Sequence, residues 1–229
     1  MLRIHRSYNG DAAVSYFDQG LTKEGEYYTD KGIIAHWKGE TAKALDLHGK
    51  EVTKEVFSKL VNNRHPQTSE RLTVRDADGR RAGFEFMTSP VKSLSVLYAI
   101  TKDPALLEAH REANRLMMLE IEQRMQVQNN SSYGRFYSSC PSIIYASFEH
   151  FTTRPNEIKR DGKTIYVPDP LVHTHNYVPN VTWHEKEQRF RAIETGNIYR
   201  DATLFEQIYH SHLSYFLNQA DYFVERTPE

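Results

Sequence analysis

The sequence predicts an α+β fold built on an antiparallel sheet, and two observations carry that expectation. Segments of strand character come in pairs closed by short turns. One pair is Arg71–Arg75 with Ala82–Thr88 around Asp76-Ala77-Asp78-Gly79, and another is Val172–Trp183 with Arg189–Ile193 around His184-Glu185-Lys186-Glu187. Helical patterns lie between the pairs, the clearest beginning at Asp103-Pro104, a cap followed by proline at the first helical position. Strand pairs separated by helices favour an antiparallel α+β sandwich over a parallel doubly wound sheet.

Taken in order, Leu2–Tyr8 reads as a short strand and Asn9-Gly10 as a turn. Asp11 is placed to cap a helical turn carrying Ala12, Ala13, Val14, Tyr16 and Phe17. The polar, glycine-punctuated and aromatic stretch Gly20–Gly39 reads as an ordered loop. A helix from Thr53 puts Val56, Phe57 and Leu60 on one face. In Ala82–Thr88, Phe84 and Phe86 share a face and Glu85 takes the other. The Asp103 helix carries Leu106, Ala109, Ala113, Leu116, Met117, Ile121 and Met125 at helical spacing, so its methionines are core. Pro141–Phe151 reads as a strand with Ile144, Ala146, Phe148 and His150 on one face. A last helix, capped at Asp201, turns Leu204, Phe205, Ile208, Tyr215 and Phe216 inward.

With 229 residues, 39% hydrophobic and 12% aromatic, the chain can fill the core of one domain, 1–229, and no Gly/Ser/Pro-rich linker divides it. A net charge of −1 argues against a protein that coats nucleic acid non-specifically but leaves room for a local basic groove. Arg71, Arg75, Arg80 and Arg81 form one basic cluster, and Lys159, Arg160 and Lys163 another; each equally fits a solvated hairpin edge. The single cysteine, Cys140, excludes an internal disulfide and a cysteine-based zinc module, and its setting suggests a buried, inert thiol. The sequence contains neither an 18-residue apolar run nor a secretory signal, which predicts an intracellular protein.

The most informative segment is Asp169-Pro170-Leu171-Val172-His173-Thr174-His175-Asn176. On a strand, His173 and His175 point to the same side, so both imidazoles can reach one ion. His150, near the end of a neighbouring strand, is the best third ligand, and three neutral histidines leave coordination positions open, as in a catalytic site. The competing reading is two polar residues on the exposed face of a hairpin, in a chain with eleven histidines. His5, His110, His184, His210 and His212 lack a comparable context and read as surface or packing residues.

Together with the N-terminal tyrosines, these histidines give the chain a resemblance to the F-plasmid-type conjugative relaxases of the HUH endonuclease superfamily. Four stretches carry it: Ser15–Gly32; Trp37-Lys38-Gly39 with Ala44-Leu45-Asp46-Leu47-His48-Gly49 and Phe57; Gly83–Ser95; and Phe148–Arg154 with Asp169–Asn180. The resemblance implies a relaxase palm, an antiparallel sheet of about five strands covered by helices. It also implies binding of single-stranded DNA and a DNA hairpin at a transfer origin. Tyr16 matches the nicking nucleophile, which forms a 5′-phosphotyrosyl intermediate, and Tyr27 a second transesterification residue. His150, His173 and His175 match the ligands of a divalent ion, Mg²⁺ or Mn²⁺ by expectation. Glu85 stands where the family has an aspartate that orients a ligand histidine or assists tyrosine deprotonation. Arg154, Lys92 and Arg75 are candidate DNA contacts. Relaxosome accessory proteins, a type IV coupling protein, a bacterial cytoplasmic location and origin from a longer chain follow from the same resemblance.

Three departures accompany it: Phe17 replaces a second tyrosine, Glu85 is one methylene longer than aspartate, and Asn156–Pro168 with an Asp161-Gly162 turn is inserted between the ligand strands. A rolling-circle replication initiator or a transposase of the same superfamily would carry much the same site, but the flanking motifs favour a relaxase. A DNA-binding relative without cleavage and a histidine-rich metal protein unrelated to DNA are the readings from other classes.

Overall fold

A computed structural model of the chain describes residues 1–21, 33–76, 79–153, 155–160 and 163–225. Its centre is a five-stranded antiparallel sheet in the order β1-β3-β9-β6-β2, formed by β1 (Leu2–Ser7), β2 (Trp37–Lys38), β3 (Gly83–Thr88), β6 (Tyr145–Thr152) and β9 (Pro170–Pro179). The expected α+β class and strand number both hold.

Both faces of this sheet are covered, so its middle strands are buried nearly end to end. Side-chain alternation sorts the sequence between two cores. Phe84, Phe86, Val172 and Val178 join one, beneath α4 (Lys92–Thr101), α5 (Pro104–Gln123) and α7 (Ala202–Gln219). Ala146, Phe148 and Tyr177 join the other, beneath α1 (Gly10–Tyr16) and α3 (Lys54–Val61). Glu85, His150, His173 and His175 belong to this second face by the same alternation.

Three two-stranded hairpins leave the sheet: β4 (Gln126–Ser131) with β5 (Gly134–Ser139), β7 (Asn156–Arg160) with β8 (Lys163–Val167), and β10 (Thr182–His184) with β11 (Arg189–Arg191). The segment Asn156–Pro168 thus carries a hairpin between the two ligand strands; its Asp161-Gly162 turn lies outside the described residues. Short helices α2 (Glu40–Ala44) and α6 (Gly196–Arg200) complete the fold.

Five local expectations are corrected. Arg71–Arg75 does not pair with β3, whose two edges are taken by β1 and β9. Asn63 pins that segment instead: its Nδ2 donates to the Thr73 carbonyl at 3.0 Å and its Oδ1 accepts from Thr73 N at 2.9 Å. The span Val172–Trp183 is two strands, because β9 stops at Pro179 and the chain turns before β10. Asn180 holds that corner by donating to the Arg81 carbonyl and accepting from Ile193 N. The cap of α1 is Asn9, whose Oδ1 accepts from the backbone of both Asp11 and Ala12, so the helix starts one residue before Asp11. The inward row of α7 is Phe205, Tyr209, Leu213 and Leu217, spaced by four, while Leu204 and Tyr215 are exposed. Finally, the stretch Gly20–Gly39 read as a loop begins in the end of a π-helical turn, Phe17–Leu21, and contains the edge strand β2; its residues 22–32 lie outside the described residues.

Candidate active site

Antiparallel pairing of β6 with β9 sets His150 opposite His173 and Phe148 opposite His175. The three imidazoles therefore converge without help from any loop, and one ring nitrogen from each lies within 4.8 Å of the others. Nitrogens about 2.1 Å from one tetrahedral ion stand about 3.4 Å apart, so the rings need close by about 1 Å to hold one. All three side chains are buried, which excludes the exposed-hairpin reading.

Each ring has one nitrogen against an oxygen acceptor, which favours the proton on that nitrogen. The His150 Nε2 faces the Leu21 carbonyl at 3.2 Å, and the His173 Nδ1 faces its own strand at the Leu171 carbonyl, 3.0 Å away. The His175 Nδ1 meets Glu85 Oε1 at 2.6 Å. Burial, together with the neighbouring imidazoles, pushes His150 down to about 3 and His173 to about 4. Both rings are neutral at pH 7, the form that binds metal. The donor set thus fits a divalent ion bound through nitrogen, with coordination positions left for oxygen ligands.

Tyr16, the last residue of α1, reaches this cluster from above the sheet. Its hydroxyl donates to Glu85 Oε1 at 2.7 Å and lies 3.2 Å from the His175 Nδ1. Burial pushes the Glu85 carboxyl up, but the hydrogen bonds from His175 and Tyr16 outweigh it and hold Glu85 below the usual range. A carboxylate therefore bridges the phenol and one ligand ring. The extra methylene of Glu85 does not break this bridge.

Phe17 is buried, its ring 4.6 Å from that of Phe57, so position 17 serves the core in this chain. Lys92, at the start of α4, donates to the carbonyl of Pro170, the first residue of the strand that carries His173, at 2.7 Å. Arg75 is exposed on the segment held by Asn63, and no described contact joins it to the histidines. Tyr27 and Arg154 lie outside the described residues. Sequence reasoning missed the Leu21 and Leu171 carbonyls, because backbone acceptors leave no residue-type signal. It also left unused the row behind β9. There His110, on the buried stripe of α5 four residues after Leu106, bonds to Tyr209 Oη and Thr174 Oγ1.

Burial of neutral imidazoles has a consequence for stability. His110 is pushed down to about 3, also chiefly by burial, so three rings stay unprotonated where an unfolded chain would protonate them. Their contribution is complete above the ordinary histidine value of 6.5 and is lost as pH falls toward 3–4. Between pH 7 and pH 5 the metal-free protein is expected to lose about 2 kcal/mol per ring. Urea unfolding at the two pH values measures this, and equal stabilities would contradict it.

An antiparallel palm whose paired central strands present three histidines to a tyrosine is the arrangement of the HUH endonuclease class. Residues 10–229 match the TrwC relaxase family, and the chain belongs to it. It is 28% identical over 204 residues to the multifunctional conjugation protein TraI of Escherichia coli strain K12, spanning 11% of that protein's length. Among solved structures it resembles the conjugative relaxase TrwC in a metal-bound complex with oriT DNA, with TM-score 0.79 and 22% identity over 99% of this chain and 73% of that one. It also resembles TrwC complexed with a 27-mer DNA comprising the recognition hairpin and cleavage site, with TM-score 0.77 and 20% identity over all of this chain and 72% of that one. Among the described residues, no helix is long and apolar enough to cross a membrane.

Proposed function

We propose that this chain nicks one DNA strand at a transfer origin and passes that strand on through a 5′-phosphotyrosyl link to Tyr16. The observation that carries this reading is the shared acceptor: Glu85 Oε1 takes hydrogen bonds from the Tyr16 hydroxyl and from the His175 ring. One atom therefore couples a nucleophile to a metal-ligand set.

A phenol with a pKa near 10 is a poor nucleophile until its proton has somewhere to go. Glu85 accepts that proton as the Tyr16 oxygen bonds to phosphorus. The bond from phosphorus to the 3′-oxygen breaks, and that oxygen leaves and is protonated as a free 3′-hydroxyl. The phosphodiester energy stays in the tyrosyl ester, so rejoining to a 3′-hydroxyl is the same step reversed and needs no nucleotide. His150, His173 and His175 hold the divalent ion, Mg²⁺ or Mn²⁺ by expectation, which when bound offsets charge developing on the phosphate oxygens.

For substrate the reading takes single-stranded DNA next to a hairpin. Exposed Tyr133, Phe136 and Tyr137 on the β4–β5 hairpin supply stacking faces, each worth about 1–3 kcal/mol per base. Lys92, Arg75 and Arg154 are assigned to phosphates and Tyr27 to the second transesterification. Relaxosome accessory proteins, a coupling protein and the bacterial cytoplasm complete the proposal. The test is to incubate the chain with 5′-labelled and 3′-labelled oligonucleotides carrying a transfer-origin hairpin and nick site, with Mg²⁺ or Mn²⁺. A covalent band carrying only the 3′-side label, abolished by chelator, is expected. Binding without any adduct would instead mark a non-cleaving relative.

A further inference from the structure

Thr174 lies between the two ligand histidines of β9 and points to the opposite side of the sheet, where α5 and α7 cover it. Its hydroxyl is 2.8 Å from His110 Nε2, and His110 Nδ1 is 2.7 Å from the Tyr209 hydroxyl. All three groups are buried. A neutral imidazole donates from one nitrogen and accepts at the other, so the chain Thr174–His110–Tyr209 runs in one direction with both bonds satisfied. Two residues further along β9, Asn176 is held in the same manner. Its Nδ2 donates to Asn114 Oδ1 at 2.7 Å, one helical turn after His110, and to the Phe86 carbonyl at 2.9 Å.

The backbone dihedrals at residue 174 set where His173 stands relative to His175. The ladders to β3 and β6 hold the backbone of β9 at its two edges, while the apolar contacts over the face that Thr174 presents carry no direction. Hydrogen bonds do. We infer that Thr174, anchored through His110 to Tyr209, is a positioning residue for the metal site, holding the two ligand rings of β9 at the separation one ion requires. This rests on the reading of the three histidines as metal ligands.

The test is titration of metal-free protein with Co²⁺, read by calorimetry and by the visible absorption of the bound ion. Thr174→Val removes the hydroxyl and keeps the shape. It is expected to weaken Co²⁺ binding about 10–100-fold, the usual cost of losing a group that holds a ligand in place, and to change the absorption bands. Thr174→Ser restores the hydroxyl and is expected to recover both. Tyr209→Phe cuts the far end of the chain and should weaken binding in the same direction by less; it also serves if Thr174→Val does not fold. A lower Tm with Co²⁺ affinity and spectrum unchanged would make the network merely structural and overturn the proposal. Wild-type protein that binds no Co²⁺ would overturn it together with the metal reading.

Discussion

Tyr16→Phe is expected to lower covalent adduct formation and nicking by at least about 10³-fold while DNA affinity stays within about threefold of wild type. The size of the loss follows from the chemistry, because a nucleophile has no partial substitute on the same ring. The selectivity follows from the site. Glu85 keeps its 2.6 Å bond to His175, and none of the three ring nitrogens facing the ion position depends on Tyr16. Folding should suffer by only about 1 kcal/mol, since a half-buried hydroxyl is lost and the carboxylate retains a partner. Phe17 cannot take over, for it carries no hydroxyl and its ring is packed against Phe57 and Phe148. Denaturing gels of protein with labelled oligonucleotide, alongside a binding titration, check both halves. A wild-type level of adduct would remove Tyr16 from the role and direct attention to the tyrosines of 22–32.

The residues of this site were legible in the sequence because strand alternation is a rigid rule. Two histidines at i and i+2 share a face wherever a strand exists, and Glu85 opposes Phe84 and Phe86 for the same reason. The bridging of Tyr16 to Glu85 was not derivable from spacing. It depends on how α1 crosses the sheet, set by contacts of Ala13 and Phe17 with side chains far along the chain. Strand partners were the weak point. The sequence around Asp76-Ala77-Asp78-Gly79 carries genuine turn residues, but pairing is decided by which strands compete for an edge. On β3 the competition is won by β1 and β9. The helix phase of α7 failed for a related reason: tyrosines and phenylalanines occur on both of its sides, so hydrophobicity alone did not distinguish Tyr209 from Tyr215. The buried polar row behind β9 is visible in hindsight as His110 and Asn114 on an otherwise apolar stripe.

His173→Ala and His175→Ala are expected to separate the two duties of β9. Each removes one of three nitrogen ligands, so each should weaken divalent-ion binding by more than the 10–100-fold typical of losing a supporting hydrogen bond, and nicking at low metal concentration should vanish in both. They differ in what remains. The His173 Nδ1 faces the Leu171 carbonyl, and the hydrogen bond from Tyr16 to Glu85 is made without the His173 ring. A high concentration of Mn²⁺ should then recover part of the nicking in His173→Ala. The His175 ring also holds Glu85 Oε1, and without it the carboxylate loses the partner that helps keep its proton affinity low. Excess metal should not rescue His175→Ala, because the acceptor for the tyrosine proton is misplaced as well. His173→Ala carries a second, independent signature. One ring with a depressed pKa is gone, so the acid loss of stability in the metal-free protein should shrink by about 2 kcal/mol between pH 7 and pH 5. Equal rescue of both variants by Mn²⁺ would show that Glu85 does not act through His175, even if the ion is bound where the three rings meet.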